Sequence, residues 1–454
     1  MSLKIRRLLY LLFITAFLII TPLVILYAAG YKLNYKGIKL QKTGSFILDS
    51  EPRGAKISLN NKPWQTFFKK YLFQKNNQAK TPIKIKNLLP GEYDIKLELD
   101  GYWPWQKKLS INPGTATFIE DIYLFKNNPP LQLTNGPLDN IFLSPIKEQA
   151  LLFNQDKISV LNLASGQTIK TITATATSSG LVPTATVVWS PDSQKILINR
   201  LIFNINDWNN PIFLDQLAGP QAKNFKWSDD GQAIYYHSQN SINYYNLILK
   251  TKKTIIENQL FTDYLPKDNY LYLVKNINQT ANLDIFTDDG EKLAFSINLP
   301  YAAYAFLNPD HELINLYDQE HQMLYLIDIF SLISPLRETL KNVKLAHWIN
   351  NNKLLYANDF EIWILDMENN KKTLLTRISQ EIEEIIWHPS NSYVIFTTDQ
   401  TINIIELDDR QKRNITELIK LDYIKWPRLN KKGDILYFYA KISSQEGLYK
   451  LNIH

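Results

Sequence analysis

The chain of 454 residues contains no cysteine. That excludes disulfides, thiolate metal sites and a thiol nucleophile. Glycine is scarce, at 15 residues, and no glycine-rich phosphate loop occurs. The six histidines (His237, His311, His321, His347, His388 and His454) never fall into the His-x-x-Glu-His or His-Glu-x-x-His spacing of a zinc site. A Gly-x-Ser-x-Gly elbow, which would present a nucleophilic serine, is also missing. Lysine and arginine outnumber acidic residues by 50 to 44. No basic block concentrates that excess, so nucleic acid is not an expected partner. These absences predict no catalytic residue, no metal and no cofactor.

What is present begins at the N-terminus. "KIRR" (Lys4 to Arg7) precedes "LLYLLFITAFLIITPLVILYAAG", in which positions 8 to 30 carry no charge. At about 1.5 Å per residue such a run crosses the roughly 30 Å hydrocarbon core. Pro22 lies inside it, and spanning helices tolerate proline. The basic cluster ahead of the run favours a cytoplasmic N-terminus, with everything after residue 30 outside. Lys32, Lys36 and Lys39 blunt that asymmetry. The competing reading is a cleaved signal, because "YAAG" ends in small residues. The run exceeds a signal's usual apolar region of about 7 to 15 residues, which favours a retained anchor. No second run of comparable length follows, so the expectation is a single-pass protein of the cell membrane.

The remainder is globular by composition, 45% hydrophobic and 12% aromatic, and too long for one core. Residues 31–43 read as a juxtamembrane connector. From Gly44 the pattern turns β-rich. In "YDIKLELDGY", Tyr93, Ile95, Leu97 and Leu99 alternate with Asp94, Lys96, Glu98 and Asp100, the period of a strand with one buried face. Pro-Gly at 90–91 and Asp-Gly at 100–101 bound it as turns.

Ser50, Pro52, Gly54, Ala55, Thr81, Pro82, Pro90, Gly91, Glu92, Gly101 and Tyr102 together resemble the PEGA domain, over residues 44–125. The resemblance implies a small β-sandwich of the kind carried by bacterial surface proteins. One departure is an insertion, "PWQTFFKKYLFQKNNQAK" (63 to 80), where the family has a short turn. Trp64, Phe67 and Phe68 stand there among lysines, as an aromatic-basic flap for lipid headgroups or cell-wall polymer. The plainer reading is a long hairpin whose aromatics complete a small core. Trp103 and Trp105 carry the same pair of readings, ligand or membrane contact against packing.

Residues 129–454 repeat. The phrase "WSPDSQKILI" (189) recurs as "LSPIKEQALL" (143), "WSDDGQAIYY" (227), "YLPKDNYLYL" (264), "LNPDHELINL" (307), "WINNNKLLYA" (348), "WHPSNSYVIF" (387) and "WPRLNKKGDILYF" (426). Steps of about 40 residues with four short strands each are the period of a β-propeller blade. The first residue is expected to plug into the neighbouring blade, and the polar residues after it to turn. The apolar run that follows is expected to be a strand near the channel. Trp189 to Asp192, and less closely "WSDDG" at 227, resemble the WD40-like repeat of the TolB family. Eight anchors imply eight blades, with seven as the alternative. The last unit stops one strand short, and "PPLQLTNG" (129 to 136) is expected to supply that strand and close the ring.

The expected fold is therefore an all-β ectodomain, a small sandwich plus a propeller, behind one transmembrane helix (residues 1–30). Ser190 and Asp192 in isolation look like a nucleophile with a partner, but most other copies keep the spacing while changing one or both of those residues. Two function classes survive. One is an externally displayed binding or scaffold protein of the bacterial envelope, extracellular or periplasmic, whose propeller face meets a protein or a cell-wall glycan. The other is an envelope hydrolase or lyase with its site in the propeller channel. Histidines or carboxylates gathered at the channel would favour the second class.

Overall fold

The computed structural model describes residues 3–34, 39–65, 78–154, 157–173, 187–277, 279–331 and 333–454. An N-terminal helix, α1 (Leu3–Ala28), runs unbroken through Pro22. Its stretch Ile5–Ala28 is long and apolar enough to cross a membrane and is 0% buried by the rest of the protein. A helix so apolar, with no protein core around it, meets the composition test for a membrane span or a signal sequence. Gly30, at φ 83°, ends it in the left-handed region that glycine adopts without steric cost. The connector then forms a hairpin, Tyr31–Asn34 against Lys39–Lys42. Thr43 fastens its base, donating from both its backbone N–H and its hydroxyl to the Gly30 carbonyl at 2.7 Å.

Two sheets follow and pack face to face. One orders Ile83–Leu88, Gly44–Glu51 and Ala116–Tyr123, and the other Lys62–Pro63, Lys56–Leu59, Gly91–Glu98 and Trp105–Ile111. Phe46, Leu48, Ile57, Ile95, Leu97 and Leu109 fill the space between them. The sequence motif has a local cause here. Thr81 Oγ1 sits 2.6 Å from Ser50 Oγ and accepts the backbone N–H groups of Gly54 and Ala55. Two hydroxyls thus satisfy a bend that the strand edges cannot. In the insertion, Trp64 packs half-buried on this core. Phe67 and Phe68 lie outside the described residues.

Among the described residues, eight further antiparallel four-stranded sheets form the propeller, so the count is eight and not seven. Blades 1 to 7 take consecutive strands and span residues 140–173, 187–213, 223–256, 263–300, 304–340, 345–377 and 384–420. Blade 8 combines Ile424–Leu429, Ile435–Ile442 and Gln445–Asn452 with an outer strand from the other end of the domain, Leu131–Gln132. Leu131 lies opposite Lys450 and Gln132 opposite Tyr449, the closure read from "PPLQLTNG". First strands touch around the axis from blade 3 to blade 5 and from blade 6 to blade 8, and blade 1 meets blade 8 there. A short helix, α2 (Leu214–Ala218), links blades 2 and 3.

Two sequence expectations need correction. The apolar run after each anchor is the second strand of its blade. The first strand is the short one that carries the anchor, such as Val187–Trp189. The alignment also slips in three blades. Leu143, Trp189, Trp227, Leu307 and Trp387 are each the last residue of a first strand. Tyr264, Trp348 and Trp426 sit further inside theirs, which end at Lys267, Asn350 and Leu429. Blade 8 explains the slip best. Its first strand is bulged between Lys425 and Arg428, with Trp426 at φ 49°, so an aromatic residue stands ahead of the true turn, "LNKKGDI".

Candidate binding site

The recurring phrase builds turns and blade joints. Ser190 is 0% exposed. Its hydroxyl accepts the Lys195 N–H at 2.8 Å and lies 3.0 Å from the Lys195 carbonyl and 2.5 Å from Asp192 Oδ1. Ser228, Asp230 and Ala233 repeat that pattern in the next blade. Removing the Ser190 hydroxyl (Ser190→Ala) should cost about 1 kcal/mol of stability, read by urea unfolding, and leave the circular dichroism spectrum unchanged.

The same turns tie blade to blade. Lys195 Nζ donates to the Gly231 carbonyl at 3.1 Å, the Asp268 N–H to Asp229 at 2.8 Å, and Lys267 Nζ to the His311 carbonyl. Anchors reach back into the preceding blade. Trp227 Nε1 donates to the Val188 carbonyl at 3.1 Å, and Trp348 Nε1 to Asn315 Oδ1 at 3.0 Å.

Two histidines serve these joints alike. His311 and His388 each accept a backbone N–H at Nδ1, from Leu313 and Ser390. Their Nε2 atoms face the carbonyls of Asn351 and Gly433 in the next blade, at 3.2 and 3.0 Å. These partners assign the neutral ring with its proton on Nε2. Burial, the largest cause, holds both imidazoles below their ordinary pKa. The folded value therefore lies under the unfolded one, and the unfolded chain takes up protons first. Stability carried by the neutral rings is complete above about pH 6.5 and is lost as pH falls through that value towards the folded one. Urea midpoints should drop between about pH 7 and pH 5.5. His388→Gln should flatten part of the slope.

Trp103 and Trp105 lie where the sandwich meets blade 7. Trp105 is 7% exposed, and its Nε1 donates to Glu406 Oε2 at 2.9 Å. Lys107, on the same strand, reaches Glu406 Oε1 at 2.5 Å and the Asp408 carbonyl at 2.7 Å. The Asn414 N–H completes the carboxylate's set at 2.9 Å. Around this pair, Tyr123 and Phe125 pack on Tyr393 and His388. The Lys126 N–H bonds the Ile453 carbonyl. Trp103 is half-buried against the core of blades 7 and 8 and lines a crevice of about 140 Å³ together with Trp105. The joint occupies the indole of Trp105, while Trp103 Nε1 is buried without a partner.

Along the axis, polar and charged side chains link first strands. Glu384 (blade 7) lies 3.5 Å from His347 Nε2 (blade 6) and 3.0 Å from Arg428 Nη1 (blade 8). Burial alone would raise the Glu384 carboxyl, but His347 and Arg428 outweigh it and hold it below the usual range. On the other side of the ring, Lys226 pairs with Asp263 at 2.8 Å. Among the described residues, no group of three or more His, Cys, Asp or Glu side chains could hold a metal.

A cleft of mixed chemistry lies between blades 3 and 4. It holds about 390 Å³ and is lined by Tyr235, Tyr244, Tyr270, Asp229, Asp230 and Asp288, with Lys253 and Lys267 at its edges. Tyr235 and Tyr244 meet edge to face at 5.1 Å. Burial, then Tyr244 and the nearby carboxylates, push the Tyr235 phenol up to about 12. Burial and the neighbouring Asp268 and Asp230 also raise the Asp229 carboxyl. Aromatic faces beside carboxylates suit sugar hydroxyls or cationic side chains. Sequence reading missed this cleft, because its walls come from five strands of two blades and the turns between them, which no single motif joins.

The PEGA domain profile matches residues 72–121. None of the curated proteins matches the sequence. Among solved structures, Porphyromonas gingivalis dipeptidyl peptidase 4 aligns with a TM-score of 0.51 at 12% identity, over 71% of this chain. The chain spans 58% of that peptidase's length. The Dos1 propeller aligns at 0.47 and 12% identity, over 72% of this chain and 95% of its own. A eukaryotic initiation factor structure aligns at 0.47 and 12%, over 72% and 88%. Identities this low speak to fold and not to activity.

Proposed function

We propose that this chain is a membrane-anchored binding or scaffold protein of the bacterial cell envelope. In this reading α1 crosses the membrane once with a cytoplasmic N-terminus, and the TolB-like propeller is displayed outside to bind a protein or glycan. The observation that carries it is the joint around Glu406. A lysine and a tryptophan of the sandwich converge on one carboxylate of blade 7, so sandwich and propeller form a fixed mount behind the apolar helix. The cleft between blades 3 and 4 lies on the same turn-bearing face as that joint, nearly across the ring, where the mount leaves it accessible. Crosslinking and pull-down of the full chain from intact cells test the reading. The variant Tyr235→Ala/Tyr270→Ala should reduce partner capture about tenfold or more if the cleft's aromatics anchor the ligand. Undiminished capture by that variant sinks the cleft. Loss of capture on deleting 44–125 but not the propeller sinks the propeller as binder.

One observation favours the second reading, an envelope hydrolase or lyase: His347, Glu384 and Arg428 gather on the channel strands. Turnover of envelope polymer by the purified chain, abolished by His347→Ala with partner capture intact, would select it.

A further inference from the structure

The hairpin that follows α1 has two unlike faces. Cross-strand partners share a face. Leu33 opposite Leu40, and Tyr31 opposite Lys42, therefore make one face, while Lys32 opposite Gln41 and Asn34 opposite Lys39 make the other. Tyr31, Leu33 and Leu40 are 36%, 41% and 49% exposed. An isolated two-stranded hairpin is marginal in water, and one that leaves its apolar face open is more so. Its position supplies a partner. The span Ile5–Ala28 has 24 residues. At about 1.5 Å each it slightly exceeds the roughly 30 Å hydrocarbon core, so Gly30 and the base of the hairpin fall at headgroup depth. Tyrosine is favoured at that level, and lysine beside it meets lipid phosphate.

We propose that the hairpin Tyr31–Asn34/Lys39–Lys42 is a membrane-interface element. It lays Tyr31, Leu33 and Leu40 into the boundary between headgroups and acyl chains, and it holds anionic phospholipid through Lys32 and Lys39. The inference rests on the reading of α1 as a membrane anchor. It gives the first segment after the span a task, to set the height and tilt of the sandwich over the bilayer.

The lack of native cysteine makes a site-specific test clean. The full chain is reconstituted into vesicles of phosphatidylcholine, or of an equal mixture with phosphatidylglycerol, both containing spin-labelled quencher lipids. Single-cysteine variants Leu33→Cys, Leu40→Cys, Ile14→Cys and Leu249→Cys carry an environment-sensitive fluorophore. Ile14 lies within the helix, and Leu249 is an exposed residue of blade 3, 70% accessible. The proposal expects shallow-depth quencher to at least halve emission from positions 33 and 40, with position 249 unaffected. It also expects stronger quenching in the anionic mixture, a difference that Lys32→Glu/Lys39→Glu abolishes. Quenching at position 14 with positions 33 and 40 behaving like 249 overturns the hairpin proposal and leaves the anchor standing. No quenching at position 14 overturns the anchor, and the hairpin proposal with it.

Discussion

Replacing Glu406 by alanine is expected to destabilise the ectodomain by about 3 kcal/mol, towards the lower end of what a broken buried ion pair costs. The side chains of Lys107 and Glu406 are 1% and 4% exposed. Without the carboxylate, the Lys107 ammonium keeps only the Asp408 carbonyl at 2.7 Å and the Asp408 carboxylate at 3.4 Å. Trp105 Nε1 and the Asn414 N–H lose their acceptor in the same step. Those residual contacts set the lower end, and the two orphaned donors keep the loss from being small. Urea unfolding reads the effect. Limited proteolysis should show the sandwich released from blade 7 before the propeller itself unfolds. A paired change, Lys107→Met with Glu406→Leu, should recover part of the loss, because no unpaired buried ammonium remains, while Trp105 Nε1 and the Asn414 N–H still lack their acceptor. A single variant within about 0.5 kcal/mol of the parent would show that the joint is not held by this pair.

Valine at position 447 is expected to open the ring. Gly447 lies on the last strand of blade 8, where a Cβ would stand 2.0 Å from the Thr134 carbonyl oxygen and 3.0 Å from Gln132 Nε2. The first obstacle is backbone, so the closing strand must move as a whole. That strand is short, and it holds through Leu131 opposite Lys450, Gln132 opposite Tyr449, and the Leu133 N–H to the Leu448 carbonyl at 2.7 Å. Overpacking of this kind costs about 1–3 kcal/mol, and loss of the closing pairs adds to it. Amide exchange should quicken at 131–136 first and then across blades 8 and 1. Unchanged protection at 131–136 would mean that the N-terminal strand does not close the ring.

The sequence made the propeller legible because each blade repeats a bulky residue, a polar turn and an apolar strand, and those needs recur at fixed intervals. It misplaced register where local geometry departs from the rule. Blade 4 turns in two residues between Lys267 and Tyr270, and the bulge at Trp426 set an aromatic ahead of the real turn. The sandwich could be read from Tyr93, Ile95 and Leu97 because one buried face enforces alternation. The joint could not, since Lys107 and Glu406 are 299 positions apart and nothing local marks either as a partner. Trp105 was ambiguous for the same reason, because an indole bound for a buried carboxylate has the same local sequence as one bound for a ligand. The cleft of Tyr235, Tyr244 and Tyr270 exists only once two blades stand side by side.

Protease treatment of intact cells tests the central claim most directly, namely that the sandwich and propeller are mounted as one body outside the membrane. The account predicts that both modules are shed from intact cells together, as a single folded fragment. A propeller that stays protected until the cells are lysed would contradict it.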